Sequence, residues 1–271
     1  MPAHDDLGKR MKTYEYVTRN HLTRRTPVII RIDGKAFHTF TRGFQRPFDD
    51  LLVKSMQDTM KYLCENIQGC VLGYTQSDEI TLVLVDYKRL DTAAWFDYNV
   101  QKCASIAASM ATMAFNRAFE HNVRCYVVQW RNEHDDPCYE PDPQYSAWVK
   151  AMNSGAMFDA RVFNIPKEEV CNCLLWRQLD AARNSIQMVG QAHFSHSELQ
   201  NKSCNEIQEM LFSKCGINWN DTPTHLKRGS CCVRRPDPYH AERPRWVIDL
   251  EIPEFKGEGR AYVDDLIMPQ E

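Results

Sequence analysis

The run Val28–Ile32, VIIRI, followed at once by Asp33 and Gly34, constrains the fold more than any other stretch of the chain. β-Branched residues suit a pleated, half-buried surface, and Pro27 biases the residue before it to extended backbone, so a strand begins here. Alternate side chains of a strand share a face, so Val28, Ile30 and Ile32 turn into a core while Arg31 and Asp33 share the opposite side. A sheet built around this strand has one apolar face and carries charge on the other.

Two further β-prone runs, Cys70–Gln76 and Ile80–Tyr87, are joined by the short turn that holds Ser77, Asp78 and Glu79. In the second, Ile80, Leu82 and Leu84 alternate with Thr81, Val83 and Val85, the pattern of a half-buried strand. If the first strand lies beside this hairpin, Asp33 and Asp78 converge at one end of the sheet. Two readings then stand side by side. Asp-Gly is a common hairpin turn in its own right. Alternatively, carboxylates held together repel and desolvate one another unless a cation sits between them. Oxygen ligands without His or Cys suit Mg²⁺, and a pair of such ions would clamp phosphate in an in-line displacement. Gly34, lacking a Cβ, lets backbone approach a phosphate and offers its carbonyl as a further ligand.

The remaining sequence reads as helix over Asp5–His21 and Phe48–Ile67, the latter with Leu52, Met56, Met60 and Leu63 at helical spacing. A small-residue helix is expected over Asp97–Phe119, then a strand in RCYVVQW, Arg124–Trp130. The acid- and proline-rich RNEHDDPCYEPDPQYS is the best boundary. After it come a strand in MFDARVFNI, a helix running to Gly190 behind Pro166, helices over Ser195–Cys215, and strands in SCCVRR and RWVIDLEI. This order predicts an α+β fold, an antiparallel sheet with helices packed on one face and the other left for ligand, plus a more helical C-terminal region. Residues 1–135 are expected to form one region and 136–271 a second that completes the same sheet, the two making one compact unit.

Composition excludes several classes. A chain of 271 residues buries a substantial core. Its apolar runs stop short of the roughly 18 residues of a membrane span and its opening is charged, so a cytoplasmic protein is expected. Eleven scattered cysteines without CxxC spacing predict free thiols rather than structural zinc, and His193 and His196 lack a third ligand. The net charge of −3 means that any polyanion meets a local basic patch.

Taken together, RIDGKAFHTF, GYTQSDE, FDAR at Phe158–Arg161, WRQLD at Trp176–Asp180 and LKRG at Leu226–Gly229 resemble, in order and spacing, the tRNA(His) guanylyltransferase family, over about Lys12 to Arg235. The resemblance implies a polymerase-palm-like sheet and addition of nucleotides to the 5′ end of tRNA, in the 3′-to-5′ direction. It implies two Mg²⁺ ions held by Asp33, the Gly34 carbonyl and Asp78, with Glu79 the adjacent acid of the catalytic set. It assigns ATP or GTP to Gly34, Lys35, Ala36, Phe37, His38, Ser77, Arg46 and Asp49, and a second triphosphate to Lys102 helped by Arg31. Arg183, Lys202, Lys227 and Arg228 lie where tRNA would rest, and a homotetramer is implied. The HINNLYN signature that follows WRQ.D in eukaryotic members is absent; Ala181–Gln187 reads AARNSIQ. The chain is therefore expected to resemble the guanylyltransferase-like branch that repairs 5′-truncated tRNA by template-directed addition. Obligatory guanylate addition to tRNA(His), and a palm-type cyclase acting without RNA, are the alternatives.

Overall fold

The structure, a computed structural model, describes residues 3–134, 143–237 and 244–268. Its centre is one six-stranded, wholly antiparallel sheet. The strands are β1 (Val28–Gly34), β2 (Cys70–Gln76), β3 (Glu79–Leu84), β4 (Phe158–Asn164), β5 (Ser230–Arg235) and β6 (Arg245–Asp249), in spatial order β4-β1-β3-β2-β5-β6. Strands from both halves of the chain thus share one sheet. Asp33 stands opposite Glu79 of β3 on one side and Asp159 of β4 on the other.

Helices occupy both faces. They are α1 (Ala3–Tyr16), α2 (Phe37–Phe40), α3 (Asp50–Asn66), α4 (Val100–His134), α5 (Pro143–Ser154), α6 (Lys167–His193), α7 (His196–Leu199), α8 (Cys204–Cys215), α9 (Thr224–Arg228) and α10 (Ala261–Ile267). On one face α3 and α4 bury Val28, Ile30, Ile32, Ile80, Leu82 and Leu84 under Met56, Met60, Phe115 and Phe119. On the other, α6 and α10 bury Ile29, Leu72, Tyr74, Val83 and Val233 against Leu174, Val263 and Ile267. The mixed class and the antiparallel sheet are as expected; the helical cover is wider, because Ile29, Leu72 and Tyr74 give the second face an apolar strip of its own. A smaller cluster of Ile186, Val189, Ile207 and Leu211 joins α6 to α8.

Local chemistry explains the ends of several elements. Asp49 caps α3 by accepting the Leu52 N–H at 2.9 Å. Ser203 and Glu206 form a reciprocal capping box at the start of α8. The strand expected over Arg124–Trp130 is instead the last third of α4. Phe115, Phe119, Val123 and Val127 recur every four residues on its buried side, and Arg124 pairs with Glu120 at 2.6 Å. A helical period sustained for that length overrides the β-propensity of Val-Val and Tyr. Of the expected boundary segment, residues 135–142 lie outside the described residues, while Pro143–Ser154 is helical. Among the described residues no helix is long and apolar enough to cross a membrane, and their cysteines are free thiols.

The aromatic packing on the α4 face carries the first test. Phe119 is 2% exposed and stacks on both Phe44 and Phe115. Phe119→Ala is expected to lower unfolding stability by about 3–5 kcal/mol, read as a drop in the urea midpoint at unchanged slope.

Candidate active site

The site grows from the end of β1. The Gly34 N–H donates to the Asp78 carbonyl at 3.1 Å, so the backbone of the β2–β3 turn is bonded to the point where β1 ends. A Cβ at Gly34 would overlap the Phe37 ring, which lies beneath it in the core, so only glycine lets the chain turn here. Ala36 then adopts a left-handed conformation (φ 54°), the Lys35 N–H donates to the Met157 carbonyl at 2.8 Å, and α2 begins. Ser77, also left-handed (φ 49°), donates its hydroxyl to Asp78 Oδ1 at 3.0 Å.

These turns open onto a cleft of about 640 Å³ lined by Asp33, Gly34, Ala36, Phe37, His38, Arg46, Asp49, Ser77 and Asp78, all of them expected site residues. Thr41, Arg42, Gln45 and Gln191 line it too. None of these four is an expected site residue, although Thr41, Arg42 and Gln45 lie between His38 and Arg46, which are. Asp49 is buried and accepts three hydrogen bonds, from the Leu52 and Gln45 backbone N–H groups and, at 2.9 Å, from the Trp148 indole of α5.

The three acids expected to act together have different surroundings. Burial pushes the Asp78 carboxyl above its ordinary range; the Ser77 hydroxyl opposes this, and the neighbouring Asp33 charge adds to it. Neither Asp33 nor Asp78 has an ion-pair partner among the described residues. Glu79 is also pushed up by burial, against the pull of Arg177. It is buried and accepts from Arg177 Nε at 2.7 Å, while a second nitrogen of that guanidinium binds Asp180 at 2.9 Å. Glu79 is thus tied to α6 and is not among the residues lining the cleft.

Asp33, Asp78 and the Gly34 carbonyl form a donor set of hard oxygens with no ion-pair partner among the described residues, which fits a divalent cation such as Mg²⁺. No cluster of three His, Cys, Asp or Glu side chains occurs among the described residues, so phosphate and water would complete the coordination.

Other expected residues stand apart. Arg31 lies over the Trp176 ring, 5.5 Å from its centroid, with its Nε unpartnered. Lys102 borders a separate depression with Arg19, His21 and Phe96. Lys35 lines a small pocket against α5 and is not among the residues lining the cleft. Arg183 is paired with Asp180, Lys202 with Glu206 at 3.3 Å and Arg228 with Glu254 at 3.6 Å, and Lys227 donates to the Asn220 carbonyl. In the segment that departs from the eukaryotic signature, Ala181, Asn184 and Ser185 line an apolar pocket that shares Asp49, Leu52, Ser77 and Met188 with the cleft.

A family model described as Thg1, tRNAHis guanylyltransferase, matches residues 8–166. The chain is 27% identical over 240 residues to tRNA(His) guanylyltransferase of Saccharomyces cerevisiae, spanning 83% of this chain and 90% of that one. A bacterial tRNA(His) guanylyltransferase (Thg1)-like protein solved in complex with ATP superposes with a TM-score of 0.80 at 39% identity, covering 97% of this chain and 100% of that one. The corresponding complex with GTP gives 0.76 at 37% identity, with coverage of 97% and 99%.

The buried pair invites a double-mutant test. Arg177→Met leaves Glu79 charged and buried, and should cost about 3–5 kcal/mol of stability. Adding Glu79→Leu should recover most of that loss in thermal or urea unfolding, and independent, additive losses would show that the two side chains do not act as a pair.

Proposed function

The chain belongs to the tRNA(His) guanylyltransferase family, and on that premise we propose that it adds nucleotides to the 5′ end of tRNA in the 3′-to-5′ direction, choosing each by the opposing base to repair truncated ends. In this reading a 5′-phosphate oxygen attacks the α-phosphorus of ATP, forming a 5′-adenylylated end and expelling pyrophosphate. The 3′-hydroxyl of an incoming nucleotide then attacks the activated 5′-phosphoryl group and expels AMP. The single observation that carries it is the gathering of Asp33, Gly34, His38, Arg46, Ser77 and Asp78 around one cleft of about 640 Å³, a volume that suits a nucleoside triphosphate.

The residues divide the work by chemistry. Asp33, Asp78 and the Gly34 carbonyl would hold Mg²⁺, which when bound neutralises phosphate charge and lowers the pKa of an attacking oxygen. Arg46 binds phosphate by charge-assisted hydrogen bonds. Asp49, fixed by three donors, sets the wall between α2 and α3 against which the nucleoside packs. The buried Glu79–Arg177 pair holds the hairpin so that Asp78 keeps its place. The repair specificity is supported by the absence of HINNLYN and by the position of its replacement, where Asn184 and Ser185 line the pocket next to the cleft. Assembly as a homotetramer belongs to the same reading.

Asp33→Ala and Asp78→Ala should each lower nucleotide addition by on the order of a hundredfold or more while leaving the unfolding midpoint near that of the parent; near-normal turnover in either would remove the assignment. The specificity is tested with a tRNA lacking its first nucleotide, each triphosphate offered separately and the opposing base varied. Incorporation should follow the opposing base; guanylate addition regardless of that base would mean identity marking instead.

A further inference from the structure

Basic side chains separate into two groups when each is traced to its partner. Arg183, Lys202, Lys227 and Arg228, the cations on the α6–α9 side expected to meet tRNA, are all engaged, three with carboxylates and one with a carbonyl. On the opposite side of the cleft, Lys35, Arg42 and Lys150 are exposed, and none of them has an ion-pair partner among the described residues. These three line one pocket of about 260 Å³, between the turn before α2 and the helix α5, together with Thr39 and Ser154. Among the described residues no acidic side chain lines it. Arg42 and Ala36 belong to this pocket and to the cleft, so the two adjoin, and Arg46 adds a further cation on the cleft side.

The pocket is held in shape by the core. Trp148 is 3% exposed, donates to Asp49 and packs edge-on against Tyr126 with centroids 5.2 Å apart. Two residues further along the same helix, Lys150 is turned outward onto the pocket rim. Cations already bound to carboxylates present little net field to a polyanion, whereas three unbalanced ones beside a low-dielectric wall attract it strongly.

We propose that the pocket between α2 and α5 is a phosphate-backbone site for the RNA strand whose 5′ end enters the cleft, so that the substrate approaches over α5 rather than over α6 and α9. This inference rests on the reading of the substrate as RNA. Lys150, Lys35 and Arg42 hold successive phosphates by charge-assisted contacts that carry no sequence information.

The test is the equilibrium binding of a 5′-phosphorylated tRNA to the full chain at several salt concentrations, beside the KM for ATP. For Lys150→Glu the tRNA Kd should rise about five- to tenfold, and the slope of log affinity against log salt should become shallower by about 1. The KM for ATP should stay within about twofold. Lys202→Glu, on the opposite side, should change the tRNA Kd by less than about twofold. Lys150→Gln serves as a second variant should the charge reversal disturb folding, with the unfolding midpoint as control. Unchanged tRNA affinity and salt slope in both Lys150 variants, or an equal rise in the KM for ATP, would overturn the site. If the parent chain itself fails to bind tRNA, the RNA reading falls as well, which separates the two failures.

Discussion

The ion pair between Glu79 and Arg177 is the contact on which the arrangement of the site depends. Both side chains are buried, and a buried pair of this kind adds little net stability because desolvation consumes most of its Coulomb attraction. Its effect lies in placement. Arg177 spans from the hairpin to Asp180, and Gln178, one residue on, donates to the Pro253 carbonyl and accepts from the Phe255 N–H. The WRQLD segment thus pins α6 both to the tip of the β2–β3 hairpin and to the segment leading into α10. A hairpin fixed at Glu79 has little freedom at Asp78, whose carbonyl is bonded to Gly34.

Against this fixed background the uncompensated charges stand out. Asp33 and Asp78 repel each other with no ion-pair partner among the described residues, while the third acid of the group is neutralised from α6. Such an arrangement lowers stability and is expected where function, rather than folding, has set the residues. The basic side chains follow the same division, since those on α6 and α9 are tied to neighbours and those around the α2 turn and α5 are not.

The sheet was legible in the sequence because a period of two leaves little choice. The spans of β2 and β5 match the expected runs residue for residue, and β1 keeps Asp33 on the face opposite Val28, Ile30 and Ile32, although the buried Ile29 makes that face apolar as well as charged. Helical features were harder to read. In α4 the Arg124–Trp130 segment has the composition of a strand, and only its continuation of the Phe115–Phe119 spacing marks it as helix. In α5 the preceding acids and prolines masked a helix whose buried side is Trp148 and Ala151, although Pro143 suits a first helical position. Within the site, neighbours in sequence such as Gly34, Ala36 and His38 could be grouped from local motif alone. The partnership of Glu79 with Arg177 could not, since 98 positions separate them and spacing carries no signal over that distance. Arg31 shares its motif with Asp33, but β1 lays it over Trp176, and α4 carries Lys102 to a separate depression.

The order of the strands has a consequence for biosynthesis. β1 emerges early from the ribosome, yet one of its two neighbours, β4, begins only at Phe158, and the arginine that steadies the hairpin follows at position 177. Pairings so distant along the chain form slowly. A nascent polypeptide therefore carries the acidic motif for more than half of its synthesis without the scaffold that aims it, and chemical competence arrives late, when the chain closes around its own first strand.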